Sequence, residues 1–153
     1  MGQRVQNVTY FEVKVEIIDA EMEEYSLETV VKKVVSFSPD LVGITVTSPF
    51  QDSAICISTM IKEVADLPVI IGGAHPTAKG AEALLDCFDF ALQGEGDEAV
   101  KHFLNAFEGK GGYSEVSGLI YRENGNTMAN PSVQLKTLDK LAVPERGLLN
   151  LEK

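Results

Sequence analysis

Hydrophobic positions along this chain switch between two periods. Val13-Lys14-Val15-Glu16-Ile17-Ile18 alternates and then turns apolar before Asp19-Ala20, which predicts a strand. Leu27, Val30, Val31 and Val34 instead share one face of a helix that Ser26 can cap and Ser38-Pro39-Asp40 ends. Leu41-Val42-Gly43-Ile44-Thr45-Val46 is β-branched and almost continuously apolar, the pattern of a strand buried on both faces. Thr47-Ser48-Pro49-Phe50 reads as a loop. A helix then runs to about Ala65 with Ala54, Ile57, Ile61 and Val64 or Ala65 inward.

Pro68 opens the most informative stretch. Val69-Ile70-Ile71 stops at Gly72-Gly73, and Ala74-His75-Pro76-Thr77 follows at once. This predicts a buried parallel strand opening into a loop stripped of side chains, where a ligand can approach the backbone closely. In open α/β sheets that edge is where cofactors sit. A short helix carrying Ala81, Leu84 and Leu85 comes next, then a strand over Phe88-Asp89-Phe90-Ala91-Leu92 and a turn at Gln93-Gly94-Glu95-Gly96. The following helix turns Val100, Phe103, Leu104 and Phe107 inward, with Asp97 and Glu98 in its first turn and Gly109 as its cap. After Gly112 the pattern changes to a hairpin about Asn124-Gly125.

Alternating strands and helices with short links predict an α/β three-layer sandwich. Its sheet is mainly parallel, Rossmann-like or flavodoxin-like, and ends in a carboxy-terminal β-hairpin. Residues 1–112 form the core, and 113–153 the hairpin and a linker tail. A doubly wound domain ordinarily opens with a strand and a helix before its second strand. Residues 4–11 are too short for both, so the first strand is either missing or replaced by them. The pattern favours a chain that begins further upstream.

Composition narrows the partners. A length of 153 residues gives one domain, and a formal net charge of −10 argues against nucleic acid and against anionic lipid. No run approaches a membrane span, and residues 1–7 lack the apolar core of a signal peptide. Cys56 and Cys87, far apart in apolar or amphipathic surroundings, read as reduced core residues of a cytoplasmic protein. Two cysteines without neighbouring partners build no metal or iron–sulfur site. There is no P-loop, no Gly-x-Gly-x-x-Gly after the first strand and no nucleophile elbow.

Four motifs occur in order: Gly-Gly-Ala-His-Pro-Thr at 72–77, Asp-Phe-Ala-Leu-Gln-Gly-Glu-Gly-Asp-Glu at 89–98, Ser-Gly-Leu-Ile-Tyr-Arg at 117–122 and Leu-Asp-Lys-Leu-Ala-Val-Pro-Glu-Arg at 138–146. Together they resemble the amino-terminal cobalamin-binding domain of B12-dependent radical SAM enzymes, the Fe–S oxidoreductase and methyltransferase family. The resemblance covers roughly residues 13–147. It implies a corrinoid along the carboxyl edge of the sheet, its nucleotide tail entering between Thr47-Ser48 and Gly72-Gly73. Hydroxyls of Thr45, Thr47 and Ser48 would then donate to the corrin amides or phosphate, and His75 would touch the cofactor or hold the loop.

That resemblance assigns no metal ligand. The lower-ligand histidine of better-known B12 domains belongs to an Asp-x-His-x-x-Gly motif that this chain lacks; its histidines are His75 and His102. Gly94 and Glu95 form the second candidate turn. A carboxylate there suits an amide, a ribose hydroxyl or a neighbouring loop, or simply locks the helix start. The parent would also need a 4Fe–4S cluster and S-adenosylmethionine, whose Cys-x-x-x-Cys-x-x-Cys motif is absent from these 153 residues. No catalytic residue is therefore assigned, and the radical SAM catalytic domain is the implied partner. Two other readings stand beside this one. One is a domain that keeps the fold but only packs against its neighbour, with homodimer formation through an exposed sheet edge. The other is a flavodoxin-like domain for a different ligand.

Overall fold

The computed structural model describes residues 13–133. Helix α1 (Leu27–Phe37) begins where Ser26 Oγ accepts the Thr29 amide and ends where Ser38 turns left-handed ahead of Pro39. Strand β1 (Val42–Thr45) leads through a short 3₁₀ turn, Ser48–Phe50, into α2 (Gln51–Ala65). Strand β2 (Val69–Gly72) runs straight into α3 (Ala74–Lys79), followed by a 3₁₀ turn at Gly80–Ala83. Strand β3 (Phe90–Leu92) and α4 (Gly96–Phe107) complete the alternating part. The hairpin β4 (Leu119–Glu123) and β5 (Asn126–Ala129) turns at Asn124-Gly125, both with positive φ, as a tight two-residue turn requires.

The five strands lie in sequence order. β1, β2 and β3 pair in parallel, whereas β4 joins β3 antiparallel and β5 joins β4 antiparallel. Period-two alternation sorts the core into two layers. Val69, Ile71, Ala91 and Ile120 pack with Val30, Val31 and Val34 of α1 and Ala54 and Ile61 of α2. Leu92, Leu119 and Tyr121 face the other way and pack with Ala99, Phe103 and Ala106 of α4. Phe90, Phe103, Phe107 and Tyr113 crowd that second layer, with the Phe90 and Phe103 centroids 5.0 Å apart, edge to face. The expected three-layer α/β sandwich is present.

Two polar devices tie the opposite, amino edge of the parallel strands. Asp89 Oδ2 accepts from the Val69 amide at 2.7 Å and from Lys62 Nζ at 2.6 Å, joining α2, β2 and the approach to β3. Arg122 reaches from β4 and donates to the carbonyls of Phe88, Leu84 and Leu85 at 2.8–2.9 Å. The hairpin is thus bonded into the sheet's frame as well as into its ladder.

Several expectations are corrected. Residues 13–18 form no strand. Alternation permits a strand but does not bring a partner strand alongside, and among the described residues no ladder reaches this segment. Val13, Val15 and Ile17 stay about half exposed, while Lys14 Nζ lies 5.0 Å from the Phe37 ring centroid on the outside of α1. β1 is not buried on both faces: Val42 and Ile44 point to the α1–α2 layer, but Gly43 and Thr45 are exposed. Val64 and Val100 point outward at 65% and 41% exposure: the buried face of α2 runs through Ala54, Ser58 and Ile61 and leaves both Val64 and Ala65 exposed, and Ala99 rather than Val100 takes the inward position on α4. Ser58 is satisfied by donating to the Cys87 carbonyl. Cys56 is exposed rather than core, and Cys87 is half-buried, its thiol pushed up by burial. The alternative of a substitute strand at 4–11 and the tail motif at 138–146 lie outside the described residues.

Arg122→Ala removes a charged donor from three carbonyls at once. It should lower unfolding free energy by about 2 kcal/mol, read from the urea midpoint of the intact chain.

Candidate functional site

The carboxyl ends of β1, β2 and β3 share one edge of the sheet because these strands are parallel. Every residue singled out from the sequence falls on that edge. Thr45 ends β1 and pairs in register with Gly72, which ends β2. Thr47 and Ser48 open the 3₁₀ turn after β1. Gly73 and His75 follow β2, and Gly94 and Glu95 follow β3.

The two glycines of the pair have different jobs. Gly73 adopts φ +102° and ψ −162°, a region open essentially to glycine alone. A Cβ there would lie 3.0 Å from the Val46 carbonyl oxygen and 3.2 Å from Thr45 Cγ2. Gly73 therefore lets the end of β2 press against the end of β1. Two backbone bonds hold that approach, Val46 N–H to Gly72 O at 2.7 Å and His75 N–H to Val46 O at 3.0 Å. At Gly72 a Cβ would meet nothing within 4 Å. Gly72 is thus the bare position facing open space; the backbone of Gly73 is folded against its neighbour.

The expected loop of residues 73–77 is a correction of substance: α3 starts directly at Ala74 with Gly73 at its cap. That geometry buries His75 to 4% exposure and places its Nδ1 3.1 Å from Ser48 Oγ. Ser48 of the 3₁₀ turn after β1 and His75 of α3 are brought together. Thr77 lies one turn after Gly73 and was not singled out from the sequence, where it read as the end of a motif. Its hydroxyl donates to Gly73 O at 2.8 Å and accepts the Gly94 amide at 2.9 Å. The signal that would have found it is the i to i+4 spacing from Gly73 on a helix.

The third loop is crowded from the hairpin side. Gly94 has φ +81°, and a Cβ on it would collide with Ser132 Oγ. Gln93 donates from Nε2 to Asn130 O at 2.9 Å, and its amide bonds to Gly118 O. A Cβ on Gly118 would strike the Gln93 carbonyl. Residues 130–133 therefore pass directly beside the loop after β3. Glu95 holds the cap position of α4 without a side-chain bond to its first turn. His102 is exposed on α4, away from this edge. Among the described residues, no group of three or more His, Cys, Asp or Glu side chains could hold a metal ion.

A parallel sheet with a glycine-lined, hydroxyl-bearing carboxyl edge is the arrangement of a cofactor-binding α/β domain. The B12-binding domain family matches residues 8–104, and the chain belongs to it. An uncharacterized methyltransferase of Pyrococcus horikoshii is 29% identical over 143 residues, covering 91% of this chain and 31% of that protein. The anaerobic magnesium-protoporphyrin IX monomethyl ester cyclase of Rubrivivax gelatinosus is 28% identical over 145 residues, covering 89% of this chain and 26% of its own length. The chain thus spans about a quarter to a third of these relatives.

Solved structures share the fold. The radical S-adenosylmethionine methyltransferase TsrM from Kitasatospora setae, with cobalamin and a [4Fe–4S] cluster bound, superposes with TM-score 0.67 at 21% identity, over 88% of this chain and 26% of TsrM. The cobalamin-dependent S-adenosylmethionine radical enzyme OxsB, with aqua-cobalamin and S-adenosylmethionine bound, gives 0.62 at 19%, over 72% of this chain and 16% of OxsB.

Gly73→Ala should cost about 1–3 kcal/mol through its forced backbone alone. Gly72→Ala should fall within about 0.5 kcal/mol of the unaltered chain. Urea unfolding of both variants side by side checks the division of labour; equal losses would refute it.

Proposed function

We propose that this domain holds a corrinoid along the carboxyl edge of β1, β2 and β3, as the cofactor-carrying module of a B12-dependent radical SAM enzyme. One observation carries the reading: Gly72 offers open space beside the exposed Thr45, Thr47 and Ser48. A side chain at position 72 would project into that space beside Thr45, its partner in register, and the hydroxyls of this edge are suited to amides and phosphate. The residues present therefore fit the group, and membership of the B12-binding family supports it. When bound, the corrinoid supplies the cobalt chemistry of methyl transfer or of radical rearrangement.

The chain's own residues bind and orient. Thr45, Thr47 and Ser48 donate hydrogen bonds, and Gly72 admits the ligand against the backbone. His75, buried and paired with Ser48, fixes the wall between the first two loops. No side chain here is assigned to catalysis, and no ligand to the cobalt is assigned. The reaction belongs to a partner domain carrying the iron–sulfur cluster and S-adenosylmethionine. Among the described residues no helix is long and apolar enough to cross a membrane. A cytoplasmic setting, resting on the two unpaired cysteines, and the absence of nucleic-acid contacts, resting on the acidic balance, belong to the same proposal.

A second reading is favoured by one feature. The outer edge of β1 has no hydrogen-bonded neighbour among the described residues. Such an edge can take a strand from a second copy. Sedimentation of the purified chain would then show a concentration-dependent dimer.

Hydroxocobalamin mixed with the purified chain should remain bound through desalting at near one equivalent, read from its visible bands. Gly72→Val should reduce that retention at least tenfold with an unchanged melting midpoint. Retention equal to that of the unaltered chain would place the ligand elsewhere. Loss of all colour from the unaltered chain would favour the packing reading.

A further inference from the structure

The junction of β2 with α3 and the loop after β3 are joined by one side chain. Thr77 Oγ1 donates to Gly73 O at 2.8 Å and accepts from Gly94 N–H at 2.9 Å. The Thr77 amide also reaches Gly73 O, at 3.3 Å. A hydroxyl has one proton to donate and lone pairs to accept with, so both bonds form together. Ser132 lies beside Gly94 where a Cβ would project, so no side chain fits there.

We propose that Thr77 is a positioning residue that clasps the two glycine loops into one floor for the ligand, and that the Gly94 amide serves this clasp rather than the ligand. The inference rests on the corrinoid reading for its ligand, but the clasp itself exists without one. Thr77 and Gly94 are both exposed. Water therefore competes for these bonds while the edge is open, and their net worth there is small. A ligand laid across the edge excludes that water and strengthens the same bonds. The hydroxyl accordingly matters more to ligand retention than to folding. A residue serving only the fold would show the reverse.

The test compares Thr77→Val, which keeps the shape and removes the hydroxyl, with Thr77→Ser, which keeps the hydroxyl. Two readouts are taken on the intact chain. One is hydrogen exchange of the Gly94 amide in the ligand-free protein, followed by NMR with labelled glycine. The other is the dissociation rate of hydroxocobalamin, followed by its visible bands, with the melting midpoint as control. In Thr77→Val, Gly94 should exchange faster and hydroxocobalamin should leave about three- to tenfold faster, the worth of one hydrogen bond, with melting unchanged. Thr77→Ser should restore both.

Unchanged Gly94 exchange in Thr77→Val overturns the proposal, as does dissociation at the unaltered rate. So does a Thr77→Ser variant as impaired as Thr77→Val, and so does a fall in melting large enough to account for the faster release. If the unaltered chain retains no hydroxocobalamin, the corrinoid reading fails. The exchange measurement then decides the clasp alone, protection that depends on the hydroxyl supporting it and equal exchange in all three chains overturning it.

Discussion

The end of β2 reaches the end of β1 through a residue that has no side chain, and the candidate site depends on that approach. With φ at +102°, Gly73 sends the chain into α3 without a connecting loop. Its α-carbon faces Val46, whose amide and carbonyl bond to Gly72 and His75. The order of the next residues then follows from helix geometry. His75 is carried into the layer where Ser48 meets its ring, and Thr77 is carried back over Gly73 and towards Gly94. Any side chain at position 73 would widen the gap between the strands and move these residues together. One backbone constraint thus sets how α3 meets the turn after β1 and the turn after β3.

The hairpin adds a second constraint on the same edge. Because β4 is antiparallel to β3, its start at Leu119 lies beside the end of β3 at Leu92. β5 then returns its own end to that edge, with Ala129 opposite Ile120. Asn130 fixes the exit by donating to the carbonyls of Tyr113 and Val116, and Gln93 holds the Asn130 carbonyl in turn. The segment 130–133 therefore leaves the sheet in contact with the loop after β3. Movement of the Gly94 turn and movement of this exit are mechanically linked.

Local signals carried most of the fold. The Ser26 cap, the proline after Ser38, the glycine pair and Asn124-Gly125 each act through their own backbone, so the sequence around them suffices. The segment 13–18 shows where such reading stops: its alternation is correct for a strand, but a ladder needs a partner that no local pattern supplies. Helical faces failed for a related reason. Ser58 and Ala99 are weaker core signals than their neighbours Ile57 and Val100, yet they are the more deeply buried, and small residues allow close approach to the sheet. At the site, position along the edge was legible from the glycines and hydroxyls. The Ser48–His75 pair and the Thr77 clasp were not, since each joins residues 27 and 17 positions apart through turns whose geometry the sequence does not state.

The sheet face opposite α1 and α2 is divided, and the division bears on which reading the chain supports. Its β3–β4 half is filled by α4 and an aromatic cluster of Phe90, Phe103, Tyr113 and Tyr121. On its β1–β2 half, alternation brings up Gly43, Thr45, Ile70 and Gly72, three of them small. A surface meant only to pack against another protein is best served by larger apolar side chains, which gain from burial in proportion to area. Glycines and threonine give little of that, but they leave backbone and hydroxyl groups within reach of a flat ligand. The hydroxyls gather at the carboxyl end of this half, where Thr47 and Ser48 extend the line begun by Thr45. That gathering has no value to a purely apolar contact, and it favours a ligand rich in hydrogen-bond acceptors.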